Sequence, residues 1–181
     1  MNDTIFISGT PCTGKTTVSE VLSDKLNCRL VKINDLAIEN DFVLGIDEDK
    51  GYKIIDIDML NERVNEMIAD SDEFIIFEGH LAHLCDGADK VIILRVHPDV
   101  LRPRLEARKY SQSKVRENLE AEAMGVCTAE AYEIYGEDVQ EIDATELGVE
   151  EIVDLISGII IGEIKLSVGE IDFMDWLISD I

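Results

Sequence analysis

The chain has 181 residues, with 39 acids against 16 lysines and arginines and a formal net charge of −23. That balance excludes binding to nucleic acid through a broad basic face, since phosphate backbones are held by clustered cations. With 46% hydrophobic residues the chain is no disordered polyelectrolyte, and its length suits one domain with a sizeable core.

In chain order, "TIFIS" (4–8) predicts a short buried strand that feeds into the glycine-rich "GTPCTGKTT". "KTTVSEVLSDKL" (15–26) follows with Val18, Val21, Leu22 and Leu26 at helical spacing. Further strands are predicted at 29–33, 73–78, 90–96 and 138–143. Helical patterns lie at 56–69, 98–108, 112–132 and 148–162. Strands alternating with helices predict an α/β fold, a parallel sheet covered on both faces. Two segments break the rhythm. Residues 34–55 read as a long, polar, irregular connection of the functional or mobile kind. The tail from Ser167 to Ile181 has no Lys or Arg, yet Ile171, Met174, Trp176, Leu177, Ile178 and Ile181 predict an amphipathic helix docking on the body.

"MNDTIFISG" lacks a basic region followed by a long apolar run, so no signal peptide is expected. "LISGIIIGEI" (155–164) is too short to span a bilayer and reads as a buried helix face. A cytoplasmic protein that meets no membrane is the expectation. Cys12, Cys28, Cys85 and Cys127 share no CxxC spacing and are expected as free thiols, and His80, His83 and His97 make no metal cluster with them. The acidic surface suits either a salt-rich cytoplasm or a basic protein partner.

Gly9-xxxx-Gly14-Lys15-Thr16, between a strand and a helix, is a P-loop pattern. Gly9 and Gly14 permit tight turning, and amides from Cys12 to Thr17 are expected to point at phosphate oxygens. Lys15 is the point charge for the β/γ oxygens, Thr16 the magnesium ligand and Thr17 a contact to the α-phosphate. In "FIIFEGH" (74–80) a buried strand ends in Glu78, at the sheet edge where open α/β folds bind ligands. Glu78 is expected to organise magnesium or polarise an attacking oxygen, and His80 to orient water or an acceptor phosphate. Arg104, Arg108, Lys109, Lys114 and Arg116 surround a break between helical patterns. Scarce cations gathered there suggest a closing lid, with Arg108 as its arginine finger.

"GTPCTGKTT", "NDLA", "FEGHLAHL" and "LRPRLEARKYSQSKVRENLEAE", in this order, resemble the adenylate kinase isoenzyme 6 family. Its eukaryotic members are also described as a coilin-interacting nuclear ATPase and a small-subunit ribosome maturation factor, and it has archaeal members. The resemblance runs to about Ile160 and does not include the tail after Leu166. It implies a P-loop nucleoside monophosphate kinase fold over residues 1–166, with a monophosphate-binding segment at about 30–53 and a lid at about 107–117. Cys12, Gly14, Lys15, Thr16 and Thr17 fall on the triphosphate loop, Arg108 on the lid contact and Glu78-Gly-His80 on the acid-x-His motif. The implied activities are adenylate kinase, with magnesium-ATP and AMP as substrates, and ATPase. The implied partners are the eleventh small-subunit ribosomal protein and the pre-small-subunit particle.

The chain departs from that family twice. Glu78 stands where Asp is usual, and Ile38 where some members carry an Arg able to grip a monophosphate. A phosphate dianion without a cationic partner binds poorly, so water competes as acceptor unless Lys32 or Lys53 compensates. The alternative to a monophosphate kinase is therefore an ATPase assembly factor, or a nucleotide-gated module that binds a basic ribosomal protein.

Overall fold

A computed structural model describes residues 4–48 and 51–179. Five strands form one parallel sheet: β1 (Thr4–Ser8), β2 (Arg29–Lys32), β5 (Ile75–Glu78), β6 (Lys90–Arg95) and β7 (Val139–Asp143). Their spatial order is β2-β5-β1-β6-β7. The sequence sets both faces of the sheet through alternation. Ile5, Ile7, Ile92 and Leu94 point into a core shared with α1 (Lys15–Leu26), α4 (Pro98–Ala107), α5 (Gln112–Ala123) and α7 (Val149–Ile160). Phe6, Phe77, Val91 and Ile93 point the other way, toward α2 (Ile33–Glu39), α3 (Ile57–Ala69) and α6 (Val126–Tyr135). Phe6 and Phe77 meet edge-on there, their centroids 5.3 Å apart. A sheet buried on both faces explains why its strands read as apolar runs.

Two sequence expectations need correction. The pattern at 112–132 is two helices, not one. Gly125 turns the chain with φ 65°, and a Cβ there would lie 3.2 Å from Nη1 of Arg95. The guanidinium also takes the carbonyl of Glu122, which ends α5 against β6. Nor is 34–55 irregular: it holds α2 and an antiparallel hairpin of β3 (Val43–Ile46) and β4 (Lys53–Ile55). Asp41 takes the left-handed turn between α2 and β3, at φ 58°.

The tail docks, though of the described apolar residues whose spacing suggested it only Trp176 is buried, while Met174 and Ile178 face solvent. Phe173 and Trp176, before and within α8 (Met174–Ser179), are buried, and Trp176 Nε1 donates to Asp99 Oδ1 on α4 at 2.8 Å. Ile181 lies outside the described residues. The buried face of α7 comprises Ile152, Val153, Ile156 and Ile159. No helix among the described residues is long and apolar enough to cross a membrane.

Candidate phosphoryl-transfer site

The glycine loop leaves β1 and re-enters helix at Lys15. Gly9 is required by space as well as by conformation: at φ 137°, a Cβ would sit 2.5 Å from the carbonyl oxygen of Leu94. Gly14 has open space around it but φ 99°, which side-chain-bearing residues avoid. Cys12 also lies in the left-handed region at φ 69°, a turn of the kind anion nests use. The Lys15 side chain is buried and folds back over the loop. Its Nζ donates to the carbonyls of Gly9 (2.8 Å) and Thr10 (2.7 Å). Burial lowers its pKa, and the charges of Glu78 and Glu122 are among those that oppose the shift.

Parallel pairing sets Ile7 opposite Glu78, and Lys32 opposite Glu78 on the other side. Glu78 therefore ends its strand beside the phosphate loop, where the Thr16 hydroxyl donates to Oε1 at 3.1 Å. Burial raises the carboxyl pKa, while Lys15 and the Thr16 hydrogen bond hold it down. A hydroxyl and a carboxylate facing one another are hard oxygen donors of the kind magnesium takes, with phosphate and water completing its shell. Thr16 and Thr17 are both exposed on the first turn of α1. Among the described residues no group of three or more His, Cys, Asp or Glu side chains makes a metal site, and Cys12, Cys28, Cys85 and Cys127 are free thiols.

His80 is half-buried just past Glu78, and its pKa falls to about 4. Burial is the main cause, and the charges of Lys15, His83 and Lys114 add to it. The ring is neutral at neutral pH and is available as a hydrogen-bond partner rather than a cation. His83 has a different task. It is buried with Nδ1 2.7 Å from Ser8 Oγ and Nε2 2.9 Å from Glu130 Oε2, joining the end of β1 to α6. Ser8 Oγ also donates to the carbonyl of Gly79 at 2.9 Å, so this group braces the Glu78–Gly79 turn.

The lid cations do not act as a single cluster. Arg116 is tied to Glu120 at 2.6 Å. The Lys114 ammonium lies 4.1 Å from the Tyr110 ring centroid and 5.5 Å from that of Tyr52, so it joins the lid to the 43–55 hairpin. Arg108 caps α4, and among the described residues its exposed guanidinium makes no ion pair or hydrogen bond. Of the two lysines weighed for the acceptor side, Lys32 is bound to Glu20 at 2.6 Å and Lys53 is exposed; Ile38 is 43% exposed. Sequence reading missed Ser8, His83 and Glu130, and also Thr10, Arg95, Glu122 and Glu141. None sits in a recognisable spacing; the cue available was an Arg at the end of an apolar strand, which burial obliges to find acids.

Residues 5–125 match the family model described as an AAA domain. A protein of Methanothermobacter thermautotrophicus named "Putative adenylate kinase" is 43% identical over 97% of this chain and 99% of its own. A Pyrococcus furiosus protein of the same name is 40% identical over 93% of this chain and 90% of its own. Among solved structures, shikimate kinase from Bacteroides thetaiotaomicron superposes with a TM-score of 0.56 at 20% identity, covering 87% of this chain and 98% of that one. Shikimate kinase from Aquifex aeolicus gives 0.55 at 19%, covering 88% and 99%. These last two establish the fold, a P-loop kinase fold, as the glycine loop and parallel sheet require.

Proposed function

This chain belongs to the AAA-domain family and to the group of archaeal relatives just described, and from that membership we propose that it is a nucleoside monophosphate kinase of adenylate kinase type. It passes the γ-phosphate of magnesium-bound ATP to AMP. The observation that carries this reading is the Thr16–Glu78 contact at 3.1 Å, beside buried Lys15 on the glycine loop. Lys15 and the amides from Cys12 to Thr17 hold the triphosphate, and Gly9 and Gly14 let the loop approach it. Thr16 and Glu78 would hold magnesium, directly or through water, and when bound the ion would supply charge neutralisation at the phosphate oxygens. Neutral His80 orients the acceptor oxygen. Arg108, its guanidinium without an ion pair or hydrogen bond among the described residues, swings onto the transferring phosphoryl group as the lid at about 107–117 closes. The segment at about 30–53 binds the monophosphate, and the tail from Ser167 follows the catalytic domain of residues 1–166.

One observation favours a second role beside the first. The hairpin presents Leu44 (68% exposed), Ile46 (63%) and Ile54 (45%) to solvent, among Glu39, Asp41, Asp47 and Asp56. Exposed apolar side chains with acids around them suit a basic protein, and the register sets one cation, exposed Lys53, opposite Ile46. On this reading the chain is a cytoplasmic ATPase that acts in late maturation of the small ribosomal subunit and grips its eleventh protein. ADP production by the purified protein, with ATP alone and with AMP added, separates the two. Strong stimulation by AMP is the expected result. Phosphate release indifferent to AMP would sink the kinase and leave the ATPase.

A further inference from the structure

A buried polar circuit outside the phosphate loop ends on Lys15. Arg95, at the close of β6, is 3% exposed. Its Nε donates to Glu122 Oε1 at 2.9 Å, its Nη1 to Glu141 Oε1 at 2.6 Å and its Nη2 to the Glu122 carbonyl at 2.7 Å. Glu122, on the last turn of α5, is 1% exposed and fully engaged. Oε1 also accepts the Val96 amide at 2.9 Å, and Oε2 accepts the Thr10 hydroxyl. The carbonyl of Thr10 in turn accepts Lys15 Nζ at 2.7 Å and Thr13 Oγ1 at 3.0 Å. One residue, Thr10, thus separates the carboxylate of α5 from the Lys15 ammonium.

A buried guanidinium with two carboxylates is weak evidence for stability, because apolar residues of that volume often serve as well. What the circuit does supply is direction. Glu122 holds the Thr10 side chain from behind, which sets the Thr10 peptide plane and the carbonyl that Lys15 uses. We propose that Glu122, acting through Thr10, is a positioning residue for Lys15 and for the first turn of the phosphate loop. Because α5 begins in the lid, the root of the lid helix and the phosphate loop form one hydrogen-bonded unit. The tail closes the far side of the same circuit. Gly169 donates its amide to Glu141 Oε2 at 2.7 Å, and Phe173 lies 5.3 Å from the Arg95 guanidinium.

The proposal rests on ATP occupying the glycine loop, and its affinity measurement needs no acceptor. Thr10→Val keeps the shape of the side chain and removes its donor; Thr10→Ser keeps the donor. ATP affinity by calorimetry, kcat and KM for ATP, and Tm are measured on each full chain, together with Glu122→Gln. Thr10→Val is expected to lower ATP affinity and kcat/KM about tenfold, as loss of an orienting partner behind a liganding group commonly does. Thr10→Ser restores both, and in ATP affinity, though not in Tm, Glu122→Gln added to Thr10→Val costs little more, since both cut the one path to Lys15. Retention of affinity and kcat/KM within about twofold in Thr10→Val, with only Tm lowered, would overturn the proposal by reducing the circuit to a structural one. If Glu122→Gln does not fold, the Val and Ser pair at position 10 decides alone. A wild-type chain that binds ATP without phosphorylating AMP sinks the kinase reading and leaves this test legible.

Discussion

The phosphate loop and the 43–55 hairpin are built on opposite terms. In the loop, Lys15, Thr10 and Thr13 are buried and hydrogen-bonded, and the Thr10 hydroxyl is held by a buried acid from another helix. In the hairpin, Leu44, Ile46 and Ile54 stand in solvent on two strands that pair only with each other. A donor site has to meet the same triphosphate every time, and preorganised donors cost no reorganisation during reaction. An acceptor or partner surface carries no such demand. The hairpin's base is anchored, with Ile55 and neighbouring Phe42 packed against the core, and Tyr52 lies beside Lys114.

The largest effect expected from that contrast is at Lys15. Lys15→Ala removes the one buried ammonium of the loop and should lower ATP turnover by about 10²–10³-fold, in the range seen on removing a single transition-state donor. Full activity in this variant would refute the P-loop assignment. Arg108→Ala sharpens the contrast from the lid side. If Arg108 is a lid finger, it should slow transfer by up to about 10³-fold with little change in ATP affinity. A change in affinity alone would count against a lid finger.

On the rigid side, Trp176→Ala should cost about 3 kcal/mol, as truncation of buried aromatic residues does. Chemical denaturation measures it, and a cost near zero would mean that the tail is not docked in solution. His80 adds a pH signature. Its folded pKa of about 4 lies below the ordinary 6.5, so the unfolded chain takes up the proton first. Stability that is full above pH 6.5 is then lost as pH falls toward 4. His80→Gln should flatten that part of the stability curve; an unchanged slope would place the titration elsewhere. The smallest effect belongs to the hairpin. Leu44→Ser should leave stability within about 0.5 kcal/mol, as exposed positions do, while weakening capture of a basic partner.

What the sequence discloses follows from how local each feature is. The glycine loop and Glu78 are legible because each occupies a few consecutive residues whose types are forced by backbone conformation or by a strand ending at the sheet edge. Glu122 is not, because an acid on a polar helix is indistinguishable from its solvated neighbours until the chain brings Thr10 to it across 112 residues. The hairpin escapes for another reason: its strands of four and three residues are too short for alternation to register. The break between α5 and α6 was signalled by Gly125, a glycine inside a helical pattern, which marks either a tolerated cost or an end. Here it is an end, because Arg95 occupies the space a side chain would need.

Trp176 is the single tryptophan of the chain. Its indole is hydrogen-bonded to Asp99, and the ring centroid lies 5.6 Å from the Arg102 guanidinium. All indole emission therefore originates from one point, where the tail meets the helix that leads into the lid. A shift of that emission to longer wavelength would record the tail leaving α4, with no label attached and no other fluorophore of its class to subtract.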